Sequence, residues 1–226
     1  MSQNNDRISI QVGLSGYSFK LEAADSDRSS GWMPADRIFT TPEFQVRYEE
    51  VEISVFTPKC SLAPVQFCNP ESSREMLSEV ADLGEGDDVE IVDLPEYSAA
   101  LVFSNNIGET LSKAISETVR MSDGSKAKPL PEMYYMLRQL PSLNDYNKIL
   151  ASYMDGYLYL AIAQGKSLLL CNSYQVPDFT TAEYFIFLAL KKLQLNPEVS
   201  TICFRTPLTE DEEMSLYRYF KNVEQI

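Results

Sequence analysis

The residues able to do chemistry in this chain are few, and most of them gather at two glycine-containing turns. Near the start, Val12-Gly13-Leu14-Ser15-Gly16-Tyr17-Ser18-Phe19 reads as strand, tight turn, strand; Ser152-Tyr153-Met154-Asp155-Gly156-Tyr157-Leu158-Tyr159 reads the same way. Gly16 aligns with Gly156, Tyr17 with Tyr157 and Phe19 with Tyr159. Glycine lets backbone N–H groups approach a phosphate closely, and a carboxylate beside such a turn can hold a magnesium ion. Gly13, Ser15, Gly16, Asp155 and Gly156 are therefore the candidates for a nucleotide cleft. Each also has a purely structural reading. Gly13 to Gly16 suits a wide hairpin turn whose glycine tolerates positive φ, and Asp155-Gly156 is the dipeptide a type I′ turn prefers.

Other chemistry finds little support. The chain has no histidine, which removes Ser-His-Asp and Cys-His nucleophiles and histidine metal sites. Cys60, Cys68, Cys171 and Cys203 show no CxxC spacing, and the last two lie in apolar runs, so no metal site is expected. Ser125-Lys126-Ala127-Lys128 has SxxK spacing but sits in a Gly- and Pro-containing stretch with no oxyanion hole in view. Neither GxxxxGK[ST] nor GxGxxG occurs. Glu49-Glu50 and Asp87-Asp88 read as solvated loops, and the acids from Glu210 to Glu213 as a helix start. No catalytic residue is assigned.

The net charge of −14, from 19 basic and 33 acidic residues, repels phosphate backbones and anionic lipid and suits a basic protein partner. No nucleic acid and no membrane are expected as partners. No apolar run approaches the ~20 residues of a membrane span, and Met1 to Arg7 lacks the pattern of a secretion signal. Those readings point to the cytoplasm and reduced thiols.

The elements that must position the turns follow from periodicity. Residues 7 to 13 alternate apolar and polar, and Tyr17, Phe19 and Leu21 alternate on the returning strand. Asp25 to Gly31 is polar and predicts a loop anchored by Trp32. Val51–Thr57 and Ser61–Phe67 predict strands, and Asn69-Pro70 opens a helix stopped by Gly84. Strands at Val89–Leu94 and Ser98–Phe103 precede a helical stripe of Leu111, Ala114, Ile115 and Thr118. Met121 to Pro131 reads as a boundary, followed by a helix from Pro131 to Leu140. In the second half, strands at Lys148–Tyr153, Tyr157–Ala163 and Ser167–Tyr174 form a meander. A capping box at Thr180 to Glu183 opens a helix, Val199–Arg205 is a strand, and a second box at Thr209 to Glu212 opens the last helix. Tyr184, Phe187, Tyr217 and Tyr219 exceed what those two helix faces can bury. They are candidates for an interface with a protein partner or a second copy of the chain.

Four stretches resemble a bacterial family whose members adopt an actin-like ATPase fold, in the superfamily of sugar kinases, heat-shock chaperones and actin. They are Ile8 to Phe19, Ser167 to Tyr174, Asp178 to Phe185, and the closing strand and helix from Thr201 to Phe220. The resemblance implies an α/β fold of two tandem actin-like (ribonuclease H-like) subdomains with mixed β-sheets flanked by helices. The first would span 1–125 with its hairpin at 7–24; a connecting linker and helix would occupy 126–146. The second would span 147–226 with its hairpin at 147–163. In active members of the superfamily each half clasps the nucleotide phosphates with a glycine hairpin, and an Asp before each turn orients magnesium or water. Here Gln11-Val12-Gly13 stands where the first Asp-x-Gly is expected, and a neutral amide is a poor magnesium ligand. The implied function is a degenerate actin-like protein that works by binding, as scaffold or adaptor, without a cofactor. The alternative is an ATP-binding phosphotransferase or ATPase that uses Mg-ATP, Asp155 and the Gly13 to Gly16 turn.

Overall fold

The computed structural model describes residues 7–23, 26–106 and 109–226; the readings at Met1 to Asp6 and at Asp25 lie outside them. In chain order the first strands are β1 (Arg7–Val12), β2 (Gly16–Ala23), β3 (Ser26–Ser29), β4 (Met33–Pro34), β5 (Arg47–Tyr48) and β6 (Glu50–Val55). Next come β7 (Cys60–Pro64), α1 (Ser73–Ser78), β8 (Glu90–Leu94), β9 (Ala99–Phe103) and α2 (Glu109–Thr118). After β10 (Arg120–Met121), β11 (Pro129–Pro131) and α3 (Glu132–Gln139) follow β12 (Asn147–Met154), β13 (Tyr157–Gln164) and β14 (Ser167–Gln175). The chain closes with α4 (Phe179–Lys192), β15 (Thr201–Phe204), α5 (Glu210–Tyr217) and β16 (Asn222–Gln225).

Two compact units result. One comprises Met1–Thr57, Gly84–Asp88 and Ser104–Glu132; the other comprises Pro58–Leu83, Val89–Phe103 and Met133–Ile226. Pro58–Leu83 and Val89–Phe103 group with the second half of the chain.

The first unit is built on a sheet ordered β11-β6-β1-β2-β3, with β4 added to β2. β1 is antiparallel to β2 and parallel to β6, and β11 is parallel to β6. One face carries Ile8, Ile10, Val12, Tyr17, Phe19 and Ile53, packed with Ile115 and Val119 near the end of α2 and with Ile38 and Phe44. That alternation follows from the strand's two-residue period. Three local readings are corrected here. Ser26–Ser29, read as loop, pairs with β2 from Lys20↔Ser29 to Ala23↔Ser26, because a backbone ladder needs no apolar side chain. The stretch 129–131, read within a boundary and linker, is the edge strand β11, where proline's missing N–H costs no inner ladder bond. Gly16 lies in the strand and outside the left-handed region, so positive φ is not what calls for glycine there.

The second unit repeats the topology: its sheet runs β14-β13-β12-β15-β16, with β12 antiparallel to β13 and parallel to β15, and β16 parallel to β15. Its core gathers Ile149, Leu158, Leu160 and Ile202 with Ile186 and Leu190 of α4 and Leu216 of α5. A separate three-stranded sheet, β7-β9-β8, belongs to this unit. The helix expected from Pro70 to Gly84 shrinks to α1, and in the turn before it Asn69 Oδ1 accepts from Ser72 N at 2.8 Å. The strand expected to reach Phe67 ends at Pro64 and tightens into a 3₁₀ turn. The N-cap of α4 is Asp178, not Thr180: its Oδ1 accepts from Thr181 N at 2.7 Å. Thr209 and Glu212 form the reciprocal capping box of α5.

Candidate functional site

The first turn joins β1 to β2 through residues 13–15, closed by a Gly13 N to Gly16 O hydrogen bond of 3.0 Å. Gly16 pairs with Pro34 of β4 and Tyr17 with Met33. A Cβ on Gly16 would stand 2.1 Å from Met33 O and 2.9 Å from Trp32 Nε1. The glycine thus makes room for β4, and β4 covers the side of the turn from which Gly16 would otherwise be open. Ala35 N donates to Ser15 O at 3.3 Å and ties the same segment down.

Below this turn, on the sheet face opposite the apolar core, runs a row of buried polar side chains. Gln11 is directly across from Ser18 on β2 and from Ser54 on β6. Ser18 Oγ donates to Gln11 Oε1 at 3.3 Å, and Gln11 Nε2 donates to Glu132 Oε1 at 3.1 Å. Ser54 Oγ donates to the other carboxylate oxygen of Glu132. Glu132 is fully buried, and Gln11, Ser18 and Ser54 nearly so. Glu132 sits at the carboxyl end of β11, which lies beside β6, and β6 beside β1. These are the ends where ligands of open α/β sheets collect. Each oxygen of the carboxylate thus accepts a hydrogen bond, one from the amide and one from a hydroxyl, as burial of such a group demands.

Sequence reasoning missed Glu132. Standing after Pro129-Leu130-Pro131 it reads as an ordinary acid in the first turn of a helix, and its partner Gln11 is 121 positions away. The only available signal was Gln11 itself, a polar side chain on an otherwise regular strand.

The second turn is different. Asp155 has φ 53° and Gly156 φ 76°, the two left-handed central residues of a type I′ turn between Met154 and its cross-strand partner Tyr157. Val176 N donates to Gly156 O at 2.8 Å. Counted from the last pair of each hairpin, Val12↔Tyr17 and Met154↔Tyr157, the position matching Gln11 is Tyr153. Its ring meets Phe179 edge-on at 5.5 Å, and its N–H donates to Thr206 Oγ1 at 3.0 Å. Gly13, Ser15 and Gly16 thus share one turn of the first unit, and Asp155 and Gly156 share one turn of the second.

Among the four aromatic candidates, Phe187 packs against the core of the second unit, its ring 4.9 Å from Tyr219 and 5.7 Å from Phe220. Tyr184, Tyr217 and Tyr219 are exposed, and Tyr217 Oη donates to Val223 O at 3.1 Å. Among the described residues no cluster of three or more Cys, Asp or Glu could hold a metal ion, and no helix is long and apolar enough to cross a membrane.

The chain belongs to the family described as "Protein of unknown function (DUF3822)", which it matches over residues 2–223. A sequence search of curated proteins finds no match. Among solved structures it is similar to a Bacteroides thetaiotaomicron protein described as having an actin-like ATPase fold and unknown function. That pair shares 16% identity over 99% of this chain and 91% of the other, with a TM-score of 0.66. It is also similar to the PilM–PilN type IV pilus biogenesis complex, at 12% identity over 97% and 88% of the two chains, with a TM-score of 0.52. The fold is the actin-like ATPase fold, a mixed α/β architecture, and likeness at these identities is one of fold.

Proposed function

We propose that this family member works by binding, as a cytoplasmic scaffold or adaptor, and does not hydrolyse ATP. The observation that carries the reading is Gln11: an amide at the strand end before the first turn, with its oxygen and nitrogen both engaged by Ser18 and Glu132. Mg-ATP is the ligand the fold family implies, and the residues present do not fit it. A magnesium ion takes hard anionic oxygens in near-octahedral array, whereas the Glu132 carboxylate is fully buried and committed to Gln11 and Ser54. A phosphate needs open backbone N–H groups, whereas Gly13 N is spent on Gly16 O and Gly16 faces Met33. Asp155 holds a central position of a two-residue turn, where Asp-Gly is favoured for conformation alone. We take the two hairpins and the repeated sheet topology as the remains of a duplicated, once nucleotide-binding scaffold. The net charge of −14 favours a basic protein partner, and the similar PilM is part of a complex with another protein.

An ATPase or phosphotransferase is the second reading, favoured by the carboxylate of Glu132 at the strand ends. Thermal unfolding with Mg-ATP separates the two. A ligand present at 100 times its Kd adds about 2.7 kcal/mol, or about 5–10 °C for a chain of this size. The binding reading predicts no shift with Mg-ATP or Mg-ADP at millimolar concentration. A rise of several degrees that needs magnesium overturns it.

A further inference from the structure

We propose that the joint face of α4 and α5 is a self-association surface. A second copy of the chain docks there antiparallel about a two-fold axis, so that the acidic end of each face meets the basic end of the other. The inference goes beyond the binding reading and does not rest on it. No residue of the two turns or of the Gln11 row takes part, so its failure leaves the proposed loss of hydrolysis standing.

The fold of the second unit sets the two helices side by side. β14 and β12 both pair antiparallel with β13, and β15 and β16 run parallel to β12, so these four strands share one direction. α4 connects β14 to β15 and α5 connects β15 to β16, so both helices run back against the strands and parallel to each other. Ile186 and Leu190 of α4 and Leu216 of α5 enter one core, and the Phe187 ring lies 5.7 Å from Phe220. The amino ends of both helices come together near Tyr153. Burial, and then the Glu212 and Asp178 carboxylates, push its phenol up.

That arrangement divides the charge of the face. Asp178 and Glu183 on α4 and Glu210 to Glu213 on α5 stand toward the amino ends, and Lys191, Lys192, Arg218 and Lys221 toward the carboxyl ends. Each helix dipole favours that placement, and parallel packing adds the two helices into one acidic edge and one basic edge. Glu198, brought close by the 3.2 Å bond from Lys221 N to Pro197 O, offsets part of the basic edge. Among the described residues none of these helix charges forms an ion pair. Glu183 is only 9 % exposed, and its Oε1 has no hydrogen-bond partner, a state that a cation brought from outside the chain relieves. Between the edges lies an aromatic centre. Tyr184 and Phe187 are one turn apart on α4, and the Phe187 ring lies 4.9 Å from Tyr219. Tyr184 and Tyr219 are 60 % and 50 % exposed. An aromatic centre inside a polar rim is the pattern of a protein interface. The charge pattern selects the occupant. A uniformly basic partner would set its charges against Lys191, Lys192 and Arg218, whereas this same face reversed end for end puts acid opposite base at both edges.

α4 and α5 are about 21 and 12 Å long, which makes a small interface and a dimer that forms at roughly tens of micromolar. Sedimentation equilibrium of the full chain from about 5 to about 300 μM reads it directly. The expected result is a monomer–dimer equilibrium whose dissociation constant rises about tenfold between about 0.05 and about 0.5 M salt. Lys191→Glu with Lys192→Glu should weaken self-association about tenfold or more, and so should Glu210→Lys with Asp211→Lys, which spares the capping box. An equimolar mixture of the two reversed chains should dimerise about as well as the native chain, because each acidic edge again meets a basic one. Tyr184→Ala should also cost about tenfold. The proposal is overturned by a chain that stays monomeric at the highest concentration in low salt, by a dimer indifferent to salt, or by folded reversed chains that remain monomeric when mixed. Where a reversed chain fails to fold, hydrogen exchange of the native chain decides. Slowing at 179–192 and 210–217 as protein concentration rises upholds the proposal, and slowing confined to other segments overturns it.

Discussion

Replacing Gly16 with alanine should destabilise the first unit much more than the same change at Gly31. The new Cβ would lie 2.1 Å from Met33 O and 2.9 Å from Trp32 Nε1, and real Cβ atoms do not approach within 3.0 Å, so β4 has to retreat by about 1 Å. Met33 O is a backbone atom and cannot rotate away. Retreat strains the Gly16↔Pro34 and Tyr17↔Met33 pairing and the Ala35 N to Ser15 O bond. Overpacking costs about 1–3 kcal/mol, and loosening one or two hydrogen bonds adds about 1 kcal/mol each, giving about 2–5 kcal/mol. At Gly31, with φ 63° and no atom within 4 Å of an added Cβ, only left-handed strain applies. That is about 1–2 kcal/mol, partly offset by a less free unfolded chain. Urea unfolding followed by Trp32 fluorescence reads the first unit directly, since Trp32 is the only tryptophan and borders the clash. The midpoint should drop further for Gly16→Ala than for Gly31→Ala, with the slope unchanged. A Gly16→Ala chain as stable as Gly31→Ala would refute the packing argument and return Gly16 to the list of phosphate-binding candidates.

Three further outcomes are expected. Tyr17→Phe removes a buried 2.6 Å hydrogen bond to Thr41 Oγ1 but leaves Thr41 bonded to Arg37 O, so it should cost about 1 kcal/mol in urea unfolding. The hydrogen bond from Thr181 N lowers the pKa of the Asp178 carboxyl. Its contribution is therefore fully present above the unfolded value of about 3.9 and is lost as pH falls through the lower folded value. The stability gap between the native chain and Asp178→Ala should be constant from pH 5 to 8 and shrink below about pH 4. Burial raises the pKa of the Cys60 and Cys171 thiols, the first to about 12. Iodoacetamide at pH 8 should label both at least about tenfold more slowly in the folded chain than in urea, read by mass spectrometry of tryptic peptides.

Much of the fold was legible because its signals are local. The alternation in residues 7 to 13, Asp155-Gly156 and the Thr209 capping box each state their own geometry within a few residues, and all three are found. The strand Ser26–Ser29 was not legible, since it is held by backbone pairing to β2 rather than by apolar side chains. Nor was the edge strand at Pro129–Pro131, whose two prolines argue against a strand until its place at the sheet edge is known. The grouping of Pro58–Leu83 and Val89–Phe103 with the second unit is a matter of long-range contact that no local pattern encodes. At the candidate site the turns were visible but the reason for Gly16 was not. Its neighbour Met33 is reached only through β4 pairing, and Glu132 meets Gln11 only because β11, β6 and β1 lie side by side.

The claim that this actin-like chain binds without hydrolysis is tested most directly by phosphate release from ATP with magnesium, at high protein concentration and over hours. The account predicts release at the rate of buffer alone, for the native chain and for Glu132→Gln alike. Magnesium-dependent turnover by the native chain that disappears in a folded Glu132→Gln variant would contradict it, and would make the buried carboxylate beside Gln11 a working part of an ATPase.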